Sequence, residues 1–276
     1  MNYETAQNEF IKLIESKSYE FQAWELFTDF CKLSAISMYQ PFLKSEKLEE
    51  EYMQTIKKYT SVKTQCSKSL NDLRKKDVVE IFPQLFAYVV MGLEDKMGDF
   101  LGECFMNLNL GSKYKGQFFT PYHISVFMAS ILGEATGEKE GICEPCVGSG
   151  GMIIARADVL AKKHGLAYQN IMEVHAVDID VLCVHMSFIQ FSLLGLSAEI
   201  VHGNSLSNEV FETWYTFKYI MNASNKQYPR YKEEEKENEV ESEIKEEKVI
   251  LPCDDIQNKI LYSKEELEVF STGKLF

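Results

Sequence analysis

Apolar positions in the first hundred or so residues recur at helical spacing. Ala23, Trp24, Phe27, Cys31, Ser34, Ala35 and Met38 place small and apolar groups on one stripe, and Pro41 closes the segment. A second, charged helix is expected from about Ser45, and a third, apolar one from about Val78 to Met91. β-branched alternation is scarce and no repeat is present, so residues 1–110 read as a helical N-terminal subdomain.

From Gly141 the pattern changes, and residues 111–276 read as an α/β domain. Gly141 to Glu144 is expected to form a short buried strand, followed by a glycine-rich loop and a helix over Met152 to His164, with Ile153, Ile154, Ala157 and Leu160 facing inward. Glu173 to Asp178 predicts a second strand, Val181 to Leu194 a second helix, Ala198 to Gly203 a third strand and Phe217 to Met221 a fourth. Strands and helices alternating with short loops predict a doubly wound parallel sheet. An acidic insertion follows at about 231–248, with nine glutamates and four lysines. Such a run buries too little apolar surface to offset its ordering entropy, so a mobile insertion or a solvated helix is expected, then one last helix from Ser263.

Composition narrows the class. With 276 residues, 45% of them hydrophobic, the chain can form one substantial core or one core plus a helical subdomain. No apolar run approaches the roughly 18 residues that cross a bilayer, and the first ten residues lack a signal core, so a soluble cytoplasmic protein is expected. Seven cysteines, an odd number scattered along the chain, read as reduced thiols. The net charge of -13 lacks the footprint of a self-sufficient nucleic-acid binder. Lys57, Lys58, Lys63, Lys68, Arg74, Lys75 and Lys76 form a basic segment, read as a solvated helix face in preference to a phosphate-contacting surface.

The chemistry concentrates in I-C-E-P-C-V-G-S-G-G-M, residues 142–152. Its C-x-x-C suggests a metal or a redox pair, and its glycines suggest a bound cofactor. A zinc site needs four ligands, and no second C-x-x-C or H-x-x-x-H accompanies Cys143 and Cys146; Cys183 and His185 are the nearest candidates. A redox thiolate belongs at a helix N-terminus, whereas Cys143 falls inside a strand. No metal is expected, and the two cysteines read as small buried hydrophobes. A glycine loop after the first strand of an open α/β sheet lets a ligand approach the backbone and the N-terminus of the next helix. Ile153 stands where a dinucleotide fingerprint has its third glycine, which disfavours a pyrophosphate. Asp178, closing the second strand, is placed to accept both hydroxyls of a ribose; equally, Asp178 or Asp180 is placed to cap the next helix. Loop and acid together favour a nucleoside ligand.

Four segments carry a family resemblance: Gly116-Gln117-Phe118-Phe119-Thr120-Pro121, then Glu144-Pro145-Cys146-Val147-Gly148-Ser149-Gly150-Gly151, then Val177-Asp178-Ile179-Asp180, then Gly203-Asn204-Ser205-Leu206. With Asp99-Phe100-Leu101-Gly102-Glu103 ahead of them, they resemble in order and spacing the adenine-specific DNA methyltransferases of the type I restriction-modification M-subunit group. The resemblance runs from about Asp99 to Asn222. It implies the class I S-adenosylmethionine-dependent methyltransferase fold, a doubly wound parallel sheet incomplete at its C-terminal end here, and S-adenosylmethionine as cofactor. It also implies roles. Phe119, Thr120 and Pro121 would pack against and bond the methionine end, while Glu144 with Gly148, Ser149 and Gly150 would hold the amino acid portion. Asp178 would take the ribose and Asn204 would sit near the adenine amine. As a structural reading, Thr120 would cap the following helix with Pro121 at its first position. Implied partners are DNA, reached with help from other subunits, and a specificity or restriction subunit or a second copy.

The family's catalytic N-P-P-[FY] is altered. Its asparagine and first proline carbonyl hold the amine of a flipped-out adenine, and its aromatic ring stacks on the base. This chain has Asn222-Ala223-Ser224-Asn225. Asn222 matches the asparagine, while both prolines and the ring are replaced; Tyr228-Pro229 lies displaced along the chain. The remaining strands of a complete methyltransferase sheet do not fit comfortably after Asn222. Two main expectations follow, adenine methylation with Asn222 as the catalytic residue or a catalytically degenerate cofactor-binding or assembly subunit, with a small-molecule or RNA methyltransferase of different acceptor site as a third.

Overall fold

The computed structural model describes residues 1–60, 70–110, 118–133 and 139–224. The acidic run, Ser263, Tyr228-Pro229, Gly116-Gln117, Lys63 and Lys68 lie outside the described residues.

The described residues begin with the helices α1 (Tyr3–Ser16), α2 (Ala23–Tyr39), α3 (Glu46–Thr60), α4 (Leu70–Asp95) and α5 (Phe100–Asn107). Aromatic side chains bind them together, with Phe10 edge-on to Phe27, Phe30 and Phe100 at centroid distances of 6.1, 5.3 and 5.9 Å. The buried face of α2 includes Leu26, Phe30, Leu33 and Ile36 as well as the expected Phe27, Cys31 and Ala35; Trp24, Ser34 and Met38 are only half-buried. α4 is longer than its apolar stretch suggested and carries Pro83 within it. Lys58 binds Asp29 at 2.9 Å beside the Tyr59 hydroxyl, so this member of the basic segment serves the helical core.

The α/β part follows as α6 (Tyr122–Ile131), β1 (Glu140–Glu144), α7 (Gly151–His164), α8 (Tyr168–Ile171), β2 (Met172–Asp178), α9 (Val181–Leu193), β3 (Ser197–Asn204), β4 (Glu209–Tyr215) and α10 (Phe217–Ser224). Among the described residues the sheet has four strands in the order β1-β2-β3-β4. β1, β2 and β3 are parallel, as expected for strands joined by crossover helices. α9 lies on the sheet and also against α2, where Tyr39 meets Phe188 and Trp214 at 5.7 and 4.7 Å. Among the described residues, no helix is long and apolar enough to cross a membrane.

Three expectations are corrected. Among the described residues β1 pairs with β2 alone, and none of its residues is fully buried. The fourth strand is β4, antiparallel to β3, formed by Glu209–Tyr215 after a short turn that ends on Asn208 in the left-handed region at φ 57°. Phe217–Met221 is helix, not strand. Thr216 explains the switch: fully buried, its hydroxyl donates to Leu196 O at 2.7 Å and accepts the Tyr219 N–H at 3.4 Å, which starts α10. α10 folds back on β3, with Tyr219 stacked on Tyr215 at 5.1 Å. In register with Tyr215 on that sheet face stand Glu199, His175 and Cys143, the last two exposed.

Candidate functional site

Because β1, β2 and β3 run parallel, Glu144, Asp178 and Asn204 all finish at the same edge of the sheet. The loop after β1 is tied to this edge by two long-range bonds. Val147 N–H donates to Val177 O at 2.9 Å, and Gly148 N–H donates to Asp178 Oδ2 at 2.8 Å. The carboxylate of Asp178 therefore bridges β2 and the glycine loop, while its other oxygen accepts Asp180 N–H at 2.9 Å. Of the two aspartates, Asp180 is the N-cap of α9, accepting Leu182 N–H at 3.0 Å, and Asp178 stands ahead of the cap, half-buried at the strand end.

Glycine is required in the loop on steric grounds. Gly150 is the N-cap of α7 at φ 99°, and a Cβ there would approach the Phe191 ring at 2.6 Å. No acidic residue belongs to the first turn of α7, but the buried Asp99 carboxylate stands beside it, since a Cβ on Gly151 would come within 2.9 Å of Asp99 Oδ2.

Phe119 lies over this loop: a Cβ on Gly148 would come within 3.1 Å of its ring, which also packs on Phe105 at 5.1 Å. Thr120 and Pro121 are exposed next to it. The capping expectation is corrected by one position, since Pro121 is itself the N-cap of α6 and Thr120 lies outside the helix; the Pro121 carbonyl accepts Ile124 N–H at 2.8 Å. Glu144 Oε1 accepts Cys146 N–H at 3.2 Å, and Asn204 Oδ1 accepts Leu206 N–H at 3.0 Å, so both organise the turns that follow their strands.

Ser149 belongs to the loop, but its side chain points inward. It is 2% exposed and its hydroxyl donates to Asp99 Oδ2 at 2.5 Å. Asp99, the N-cap of α5, also accepts Gly102 N–H at 3.1 Å and Gln190 Nε2 at 3.0 Å. Burial pushes the Asp99 carboxyl above its ordinary range, and the bonds from Ser149, Gln190 and Gly102 oppose that shift. The positions of Asp99 and Gln190 were visible in the sequence, but their connection to the loop was not. The one available signal was Gln190, a long polar side chain in an otherwise apolar stretch of α9.

Asn222 is not brought to this edge. It lies in α10, and its amide donates to Ser197 Oγ at 3.2 Å, at the opposite end of β3 from Asn204. Those two ends are about 23 Å apart at about 3.3 Å per residue. The cysteine pair also differs from its expected form: among the described residues Cys143, in β1, and Cys146, in the loop after it, are both exposed free thiols. Among the described residues, no three His, Cys, Asp or Glu side chains are grouped to hold a metal ion.

Comparison with known proteins gives one family. A model described as N-6 DNA methylase matches residues 93–257, more than half of the chain, from the end of α4 through the glycine loop and the whole sheet. No curated protein matches.

Proposed function

As the chain belongs to the N-6 DNA methylase family, we propose that it binds S-adenosylmethionine at the carboxyl edge of β1, β2 and β3, in a class I methyltransferase sheet of the type I M-subunit kind, and serves methylation of the exocyclic amine of adenine in DNA. The observation that carries this reading is the Asp178 carboxylate held 2.8 Å from the Gly148 amide, which joins the strand-end acid and the glycine loop in one pocket.

The residues fit such a cofactor. The site has carboxylates at Glu144 and Asp178, a glycine loop without a basic residue and the N-terminus of α7. That donor set suits a sulfonium nucleoside carrying a carboxylate and lacks the cations that a phosphate would call for. Asp178 takes the ribose hydroxyls on the lone pairs not used by Gly148 and Asp180. Glu144 and the Gly148 to Gly150 backbone hold the amino acid portion, Phe119 with Thr120 and Pro121 packs on the methionine end, and Asn204 faces the adenine amine. When bound, the cofactor supplies the electrophilic methyl group.

A second reading rests on Asn222. Asn222, in α10, is bonded to Ser197 of β3 and followed by Ala223, so among the described residues it stands away from the cofactor edge where an extruded base would have to be held. In this reading the chain is a catalytically degenerate cofactor-binding or assembly subunit, and a partner protein or second copy supplies the base pocket and the DNA contacts that a net charge of -13 disfavours. Incubation with labelled S-adenosylmethionine and unmethylated DNA separates the two. Label in adenine that is lost in Asn222→Ala supports catalysis by this chain; cofactor binding without transfer supports the degenerate subunit.

A further inference from the structure

The Asp99 carboxyl is 2% exposed and accepts three hydrogen bonds. As the N-cap of α5 it needs only the Gly102 N–H, yet two further donors reach it from distant parts of the chain: the Ser149 hydroxyl at 2.5 Å and the Gln190 amide at 3.0 Å. Gln190 doubles the connection, because the same amide nitrogen donates to the Ser149 carbonyl at 2.8 Å and its oxygen accepts Leu101 N–H at 3.0 Å. Ser149 is thus held at both its hydroxyl and its carbonyl. Two glycines make the room. A Cβ at Gly151 would come within 2.9 Å of Asp99 Oδ2, and one at Gly102 would collide with the same carboxyl and the Ser149 hydroxyl.

A buried carboxyl among neutral donors is an expensive way to cap a helix that serine or asparagine would cap without that cost. What the carboxyl adds is a fixed anchor for the glycine loop at Ser149, next to the residue that Asp178 holds. Asp178 holds Gly148 from the strand end, and Asp99 holds the next residue from the helical layer.

We infer that Asp99 and Gln190 are positioning residues: acting through Ser149, they hold the loop and the N-terminus of α7 in the geometry that receives the cofactor, and so couple α5 and α9 to the site. The assignment of the cofactor itself rests on the proposed function; the holding of the loop does not.

The test uses the full chain with Asp99→Asn, Ser149→Ala, Gln190→Leu and the Asp99→Asn/Ser149→Ala double variant. Hydrogen exchange of ligand-free protein reads the loop directly, and calorimetric titration with S-adenosylmethionine reads the site. In folded Asp99→Asn, amides in 147–153 are expected to exchange about tenfold faster while those of β3 keep wild-type rates, and cofactor affinity is expected to fall about tenfold. Ser149→Ala, which removes one hydroxyl, is expected to do the same, and the double variant to add little, as for residues acting in series. Wild-type loop exchange in folded Asp99→Asn and Ser149→Ala, or additive effects in the double variant, would overturn the inference. If the wild-type chain binds no S-adenosylmethionine but the loop still loosens in these variants, the positioning role stands and the cofactor assignment falls.

Discussion

Asp178 Oδ2 accepts the Gly148 N–H at 2.8 Å across thirty positions of sequence, and this bond closes the candidate pocket. Replacing Asp178 by Ala removes that acceptor and the one used by Asp180 N–H. The expected result is a loss of S-adenosylmethionine affinity of tenfold or more, with a stability cost of about 1–3 kcal/mol. Asp178→Asn, which keeps one carbonyl oxygen, should fall between wild type and Ala. Titration calorimetry and urea unfolding on the same preparations separate the two effects.

Gly150 caps α7 at φ 99° with the Phe191 ring against its open side. Gly150→Ala is expected to cost about 2–4 kcal/mol, combining a left-handed alanine with a contact that has to shift. Gly141 has open space where a Cβ would go, so Gly141→Ala should change stability by less than about 1 kcal/mol. Paired urea titrations check the contrast.

His185 is buried in α9 edge-on to Trp214 at 5.2 Å, and burial, reinforced by Lys32 and His202, lowers its pKa from 6.5 to about 3. Between 6.5 and about 3 the unfolded chain therefore takes up a proton at this site that the native chain does not, so stability falls as pH falls across that window. The slope from this one group is at most about 1.4 kcal/mol per pH unit. His175 acts in the opposite sense: its bond to Glu199 raises its pKa, and the stability it contributes is lost on the alkaline side as pH rises through the folded value. His185→Phe is expected to remove part of the acid loss, seen as a smaller drop in unfolding free energy between about pH 7 and about pH 5 than in wild type.

The exposed thiols of Cys143 and Cys146 should react with a thiol reagent in the native protein, while buried Cys31, Cys104 and Cys183 react only after unfolding. Cys143→Ser with Cys146→Ser should leave S-adenosylmethionine affinity within about twofold of wild type, since neither side chain packs into a core. Peptide mass mapping of the labelled protein and calorimetry of the variant check these points; affinity lost with both serines in place would return the C-x-x-C to the site.

The parts of this fold that depend on local pattern were legible in the sequence. β2, α7 and α9 each differ by one residue at one end from the segments that hydrophobic periodicity outlined, and the glycine loop sits where a strand-to-helix turn demanded it. What escaped depended on partners far along the chain. Phe217 to Met221 reads as a short apolar strand, but Thr216 caps a helix there, and Glu209 to Tyr215 pairs with β3 after a turn at Asn208. Asn222 matched a catalytic position by its place in the sequence; α10 carries it to the other end of β3. Asp99 was visible only as part of a family segment, because its role requires Ser149 and Gln190, fifty and ninety-one positions away.

The most direct test of the central claim is a calorimetric titration of the purified wild-type chain with S-adenosylmethionine and with its demethylated product. Saturable binding at close to one molecule per chain, weakened tenfold or more by Asp178→Ala, is the predicted result. No binding by a cooperatively folded sample, or binding that Asp178→Ala leaves unchanged, would contradict the account.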